Sequence, residues 1–284
     1  AATDEGRAYV YLGSATGLGA AAAWTADPTD QVGAEFGRSV ASAGDVNGDG
    51  YGDVIVGAYA WTGAATTEGR AYVYLGSATG LGAAAAWTAD PTDQASSGFG
   101  VSVASAGDVN GDGYGDVIVG AHWWDGAATE EGRAYVYLGS AMGLLAAAAW
   151  TADPTDQASA DFGYSVASAG DVNGDGFGDV LVGAPSWDGA ATDEGRAQVY
   201  LGSATGLGAT AAWTAEPTDQ LSAYFGYSVA SAGDVNGDGF GDVIVGARSW
   251  DGAAGDEGRA YVYLGSTTGL GAAAAWTADP TDQA

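Results

Sequence analysis

The phrase Glu-Gly-Arg-Ala occurs five times, with its arginine at Arg7, Arg70, Arg133, Arg196 and Arg259, each 63 positions after the last. A fixed period of this length confines the chain to an array in which one supersecondary unit stacks on copies of itself, because a unit this small cannot bury its apolar faces alone. The 284 residues hold four full periods and 32 further residues, and residues 1–32 match residues 253–284 at 29 of 32 positions.

Within one period, Phe36-Gly37-Arg38-Ser39-Val40 leads through Asp45 to Asp53 into the β-branched run Val54-Ile55-Val56, which is too short for a helix and bounded by glycine. After a Gly-rich connection, Ala71-Tyr72-Val73-Tyr74-Leu75 alternates so that the two tyrosines share one face. The stretch Ala83 to Trp87 follows; alanine favours helix, but length and position predict an outer strand. Four short antiparallel strands per unit, named A to D from Phe36, are the blade of a β-propeller. The expected fold is therefore all-β, with four complete near-identical blades at residues 33–95, 96–158, 159–221 and 222–284. Residues 1–32 are expected to form an extra half-blade of strands C and D.

The strongest chemical signal is Asp-x-Asn-x-Asp-Gly-x-x-Asp, repeated four times. Side-chain oxygens at positions 1, 3, 5 and 9 and a carbonyl at 7 can wrap one calcium ion, and Gly at position 6 permits the sharp turn. The expected ligands are Asp45, Asn47, Asp49, Tyr51 (carbonyl) and Asp53 in the first A–B loop, and Asp108, Asn110, Asp112, Tyr114 (carbonyl) and Asp116 in the second. The third loop offers Asp171, Asn173, Asp175, Phe177 (carbonyl) and Asp179, and the fourth Asp234, Asn236, Asp238, Phe240 (carbonyl) and Asp242, giving four Ca2+ sites. An EF-hand would need Glu at position 12, where Val56 stands inside an apolar strand. Magnesium suits the loop less, since it demands a tight octahedron and keeps its waters. The bland alternative is an Asx-type turn with solvated carboxylates, against which stands the repulsion of three like charges without a counter-ion.

Thirty-six acidic residues against seven arginines and no lysine give a formal net charge of −29. A phosphate backbone is repelled by that field, so nucleic acid is excluded as a partner. No apolar run approaches the roughly 20 residues of a spanning helix, so no transmembrane segment is expected. Cysteine is absent, which removes disulfides, thiolate metal sites and a cysteine nucleophile. The N-terminus lacks the basic start and apolar stretch of a secretory signal, and no initiator Met is present, as expected of a mature, trimmed or partial chain.

Phe36-Gly37, the Asp45 to Asp53 loop and Gly57-Ala58 follow one another in an order that resembles the FG-GAP repeats of the integrin α-subunit β-propeller, as do Phe162-Gly163, Asp171 to Asp179 and the full Gly183-Ala184-Pro185. The resemblance covers all four blades. It implies calcium in the A–B loops, an extracellular or cell-surface setting, and ligand binding on the face opposite those loops. The chain departs from it in carrying Tyr59, His122 and Arg248 where the third motif residue would be proline, and in offering four and a half blades where the family's ring has seven.

The copies differ from one another chiefly before strand A, two residues into it, and after strand B, all expected on the face opposite calcium. There Tyr59, His122, Trp123 and Arg248 are candidate ligand-binding residues, weighed equally against neutral drift in exposed loops. Trp124 recurs as Trp61, Trp187 and Trp250, which points to packing. No nucleophile, base and orienting group break the internal symmetry together, so no enzyme is expected. The function expected is a calcium-binding extracellular repeat protein with an adhesive or structural role, self-assembling head-to-tail through its terminal half-blades into oligomers or filaments. The alternative is a closed propeller binding an extracellular protein or glycan, lectin-like, through the variable face.

Overall fold

The computed structural model describes residues 3–28, 31–91, 94–154, 157–217 and 220–279. These residues form no helix. At the N-terminus β1 (Ala8–Val10) pairs with β4 (Trp24–Ala26), and β2 (Gly13–Ser14) and β3 (Gly17–Leu18) make a small hairpin between them. The first four-stranded sheet is β5 (Phe36–Gly44), β6 (Asp53–Ala58), β7 (Arg70–Tyr74) and β8 (Trp87–Ala89). The second is β9 (Phe99–Gly107), β10 (Asp116–Ala121), β11 (Arg133–Tyr137) and β12 (Trp150–Ala152). The third is β13 (Ser165–Gly170), β14 (Asp179–Ala184), β15 (Arg196–Tyr200) and β16 (Trp213–Ala215), and the fourth β17 (Phe225–Gly233), β18 (Asp242–Ala247), β19 (Arg259–Tyr263) and β20 (Trp276–Ala278). Every sheet is antiparallel with its strands in sequence order, the arrangement of a propeller blade.

The innermost strands β5, β9, β13 and β17 pack on one another in turn. What lets them approach is the pair of motifs at each junction. A Cβ on Gly57 would collide with the carbonyl of Gly100, and Gly120 and Gly183 meet Gly163 and Gly226 in the same way. Phe99, Phe162 and Phe225 precede these second glycines, and with Phe36 they are buried and stand edge-on to the tyrosines of strands C in their own blades. Trp24, Trp87, Trp150 and Trp213 each donate Nε1–H to a carbonyl of the next blade's C–D connection, at 2.9 to 3.1 Å. On the other side of each blade, Arg70, Arg133, Arg196 and Arg259 lie over Trp61, Trp124, Trp187 and Trp250 at 3.3 to 3.5 Å and pair with Asp90, Asp153, Glu216 and Asp279. These repeated tryptophans are packing residues of the blade.

The outer strand differs from the sequence expectation in one respect. It begins at Trp87 and runs to Ala89, so Ala83 to Ala86 precede it as a bend. Alanines offer strand C little side chain to pair with, whereas Trp87 sits opposite Val73.

Among the described residues the array is an open arc. Val46, Val109 and Val172 are buried beneath the following blade, while the equivalent Val235 is 58% exposed and Trp276 is 53% exposed. At the other end Val40 is 58% exposed where Val103 and Val166 are buried.

Candidate functional site

Each A–B loop is a nest of backbone N–H groups around its first aspartate. In the first copy Asp45 Oδ1 accepts from the N–H of Gly48 and Asp49 at 2.7 and 3.1 Å, and Oδ2 from that of Gly50 at 2.8 Å. Asn47 Nδ2 donates to Asp49 Oδ2 at 2.9 Å, and Asp49 Oδ1 accepts from the Tyr51 N–H. The other three loops repeat these bonds. Gly48, Gly111, Gly174 and Gly237 hold φ between 70° and 75°, the left-handed conformation that the turn requires.

The ninth loop residue turns inward. Asp53, Asp116, Asp179 and Asp242 are buried, and each accepts from the N–H of its loop's second residue and from that of the glycine just past strand C, Gly76, Gly139, Gly202 or Gly265. Burial, and secondarily the neighbouring loop aspartates, push the carboxyls of Asp116 and Asp179 up to about 6 and that of Asp53 in the same direction, against the pull of their N–H donors. Among the described residues no arginine stands within ion-pair distance of a loop aspartate, and no three acidic or histidine side chains converge in a metal-holding cluster. The loops do bring their four expected side chains into one turn per blade, with the first, third and fifth residues toward solvent and the ninth beneath.

The seventh loop residue has a second role that its spacing did not announce. The rings of Tyr114, Phe177 and Phe240 lie against Gly48, Gly111 and Gly174 of the preceding loop, where a Cβ would stand 2.5 to 2.7 Å from the ring. The N–H of Gly115, Gly178 and Gly241 also reaches back to the carbonyl of Asp45, Asp108 and Asp171, at 2.7 to 2.8 Å. The loops are therefore linked to one another along one face.

Strands A and B are antiparallel, so the residues after strand B and at the start of strand A lie at the opposite end. There the positions that differ between copies form a continuous aromatic band. Tyr59 faces Trp123 at 6.4 Å between centroids, Trp123 lies on His122 at 4.2 Å, His122 meets Tyr164 edge-on at 5.5 Å, and Tyr164 meets Tyr227 at 4.9 Å. The hydroxyls of Tyr164 and Tyr227 are hydrogen-bonded at 2.9 Å. Arg38 caps one end 5.5 Å from the Tyr59 ring, and Arg248 the other, 4.4 Å from Tyr227 and 5.0 Å from Tyr224. The structure thus brings Tyr59, His122, Trp123 and Arg248 into one band and adds Arg38, Tyr164 and Tyr227. The signal for these three was present, since they occupy the variable position two residues into strand A. His122 is only 3% exposed and underlies Trp123, which is 40% exposed. Burial, helped by Arg38, lowers the His122 pKa to about 4, so the imidazole is neutral and supports the band from below.

A family model described as FG-GAP repeat matches residues 36–74, 99–137, 162–200 and 225–263. The chain is similar to Integrin alpha-V of Gallus gallus, 35% identical over 227 residues that make up 76% of this chain and 20% of that protein. It is similar to Integrin alpha-7 of Homo sapiens, 37% identical over 158 residues, 55% of this chain and 12% of that protein. It spans a fifth or less of the length of these relatives. The solved structure of the rhamnogalacturonan lyase YesW overlaps 90% of this chain and 49% of its own at a TM-score of 0.41 and 13% identity, too remote to bear on fold or chemistry.

Proposed function

The chain belongs to the FG-GAP repeat family, and from that premise we propose that it is a calcium-binding, non-enzymatic β-propeller repeat protein of the extracellular space or cell surface, with an adhesive role. The observation that carries calcium is the buried carboxylate of each loop, set beneath two more exposed aspartates of the same turn with no arginine paired to any of them. Its donor set fits: carboxylate and amide oxygens with one carbonyl, in a loop of low dielectric on one side, are what a hard divalent cation takes. Asp45, Asn47, Asp49, the Tyr51 carbonyl and Asp53 would hold it, and likewise in the other three loops. Bound there, the ion supplies the positive charge that the buried aspartate lacks and fixes the A–B turn. Melting in millimolar calcium and again after chelation tests this. A site occupied at a hundred times its dissociation constant adds about 2.7 kcal/mol to stability, so the midpoint should fall clearly on chelation, and an unchanged midpoint would overturn the reading.

Adhesion is assigned to the face opposite the loops, where flat rings and guanidinium groups form the kind of surface that anchors a partner. Replacing Tyr59, Trp123 and Arg248 together by alanine should abolish binding to matrix or cells, with the β-sheet circular-dichroism signal retained as the check that the chain still folds. A second reading, self-assembly, rests on the likeness of the first and last strand pairs of the sequence. Because residues 1–32 and 253–284 are nearly identical, the N-terminal strand pair of one copy could take the place of β19 and β20 in the next, a head-to-tail exchange. Light scattering with calcium distinguishes a monomer from a ladder of oligomers.

A further inference from the structure

Five of the seven arginines belong to the repeat, and each is spent on a carboxylate 20 residues further on. Among the described residues, Arg38 and Arg248 are the two without an ion pair, and both are exposed. In a chain of net charge −29, the two surplus cations stand at the two ends of one aromatic band. Between them lie the half-buried rings of Tyr59, Tyr164 and Tyr227 and the exposed Trp123. Burial is the largest influence on Tyr164 and raises its pKa, against the pull of both guanidinium groups, and the band also holds the Glu35 carboxylate, which accepts from the Tyr59 hydroxyl at 3.5 Å.

Resting on the reading of this face as the recognition surface, we propose that its ligand is an acidic saccharide carrying one carboxylate per sugar ring, a uronic acid, with Arg38 and Arg248 taking carboxylates and the rings stacking on sugar faces. Three features select that class. A guanidinium fork matches a carboxylate in two hydrogen bonds. The Tyr164 and Tyr227 hydroxyls, 2.9 Å apart, offer a donor and acceptors to vicinal sugar hydroxyls between the charged ends. Finally, the rings of Tyr59 and Trp123, 6.4 Å apart between centroids, offer flat faces on which sugar rings can stack.

The test is binding of the intact chain, in calcium, to trimannuronate and to its neutral counterpart mannotriose, read by tryptophan fluorescence and calorimetry. Trimannuronate should bind at least tenfold more tightly than mannotriose, and the advantage should weaken with added salt. The double variant Arg38→Gln, Arg248→Gln should lose that tenfold while its melting midpoint holds, and Tyr59→Ala, Trp123→Ala should lose binding of both sugars. Equal affinity for the two sugars overturns the acidic class while the loss in the aromatic variant still upholds the face. Binding indifferent to both variants overturns the face as well. A triglutamate peptide that binds as tightly as trimannuronate, or the absence of binding by either sugar, overturns the saccharide assignment.

Discussion

At Gly111 two demands meet that only glycine satisfies: a φ of +71° and the Phe177 ring, whose Cε1 would stand 2.6 Å from a Cβ. Gly113 carries only the first, with φ of +90° and open space around it. Gly111→Ala is expected to cost about 2 to 3 kcal/mol and Gly113→Ala about 1 kcal/mol, from backbone strain with and without the collision; equal urea midpoints would refute the interlocked loops. Tyr137 makes the opposite case. Its buried hydroxyl has no partner among the described residues, and burial holds the phenol well above its ordinary pKa. Tyr137→Phe should therefore leave the melting midpoint unchanged or raise it, by about 1 kcal/mol. His122 sets a pH dependence. Its folded pKa of about 4 lies below the unfolded 6.5, so the stability of the neutral ring is present above 6.5 and is lost as pH falls toward 4, on the order of 3 kcal/mol. Asp161, raised to about 6 by burial, works in the other sense, so the clean readout is the difference between wild type and His122→Phe across that window. Spacing in the sequence disclosed which aspartates share a loop, but not that the ninth faces inward or that His122 lies under Trp123. The ninth aspartate is turned inward by N–H groups of its own blade, Val46 and Gly76 in the first copy, 7 and 23 residues away, a convergence that spacing within the loop does not display.

The four-strand unit was legible because β-branched and alternating runs recur between glycine signals. Its outer strand was legible only in part, since propensity along Ala83 to Trp87 says little until Trp87 finds Val73 across the ladder. The tie between strands and loops was also hidden. Asp116 joins the N–H of Val109, in its own loop, to that of Gly139, just past strand C, so one carboxylate fastens the A–B turn to the third strand. Asp116→Asn turns one of its acceptors into a donor against a buried N–H. We expect a loss of about 1 to 3 kcal/mol in chelator, and a larger loss in calcium if the residue is also a ligand. Denaturation of both proteins under both conditions separates the two roles, and an equal loss in the two would remove Asp116 from the calcium site.

The whole molecule is held as an array by contacts that run from one blade to the next. Trp87 to the Leu145 carbonyl, Gly115 to the Asp45 carbonyl, and Gly57 against Gly100 each recur at the same offset along the arc. The period made this stacking predictable, and variation between copies placed Tyr59, Trp123 and Arg248 on one face, whereas their continuity with Arg38, Tyr164 and Tyr227 as one band is seen only in the structure. Stability in such an array is a sum of unit and nearest-neighbour terms. Excising residues 96–158 should therefore give a folded, cooperative protein whose midpoint lies within a few degrees of the parent, by calorimetry, while interrupting Tyr164's contact with His122. Loss of folding would show that the second blade is unique. The constant offset reaches beyond stability. Unequal exchange between any two repeats of the gene removes or inserts whole periods, and the surfaces that then meet are copies of those that met before. Blade number is thereby a trait that inheritance can change in single steps without inventing an interface, and the near-identity of the repeats keeps that route open.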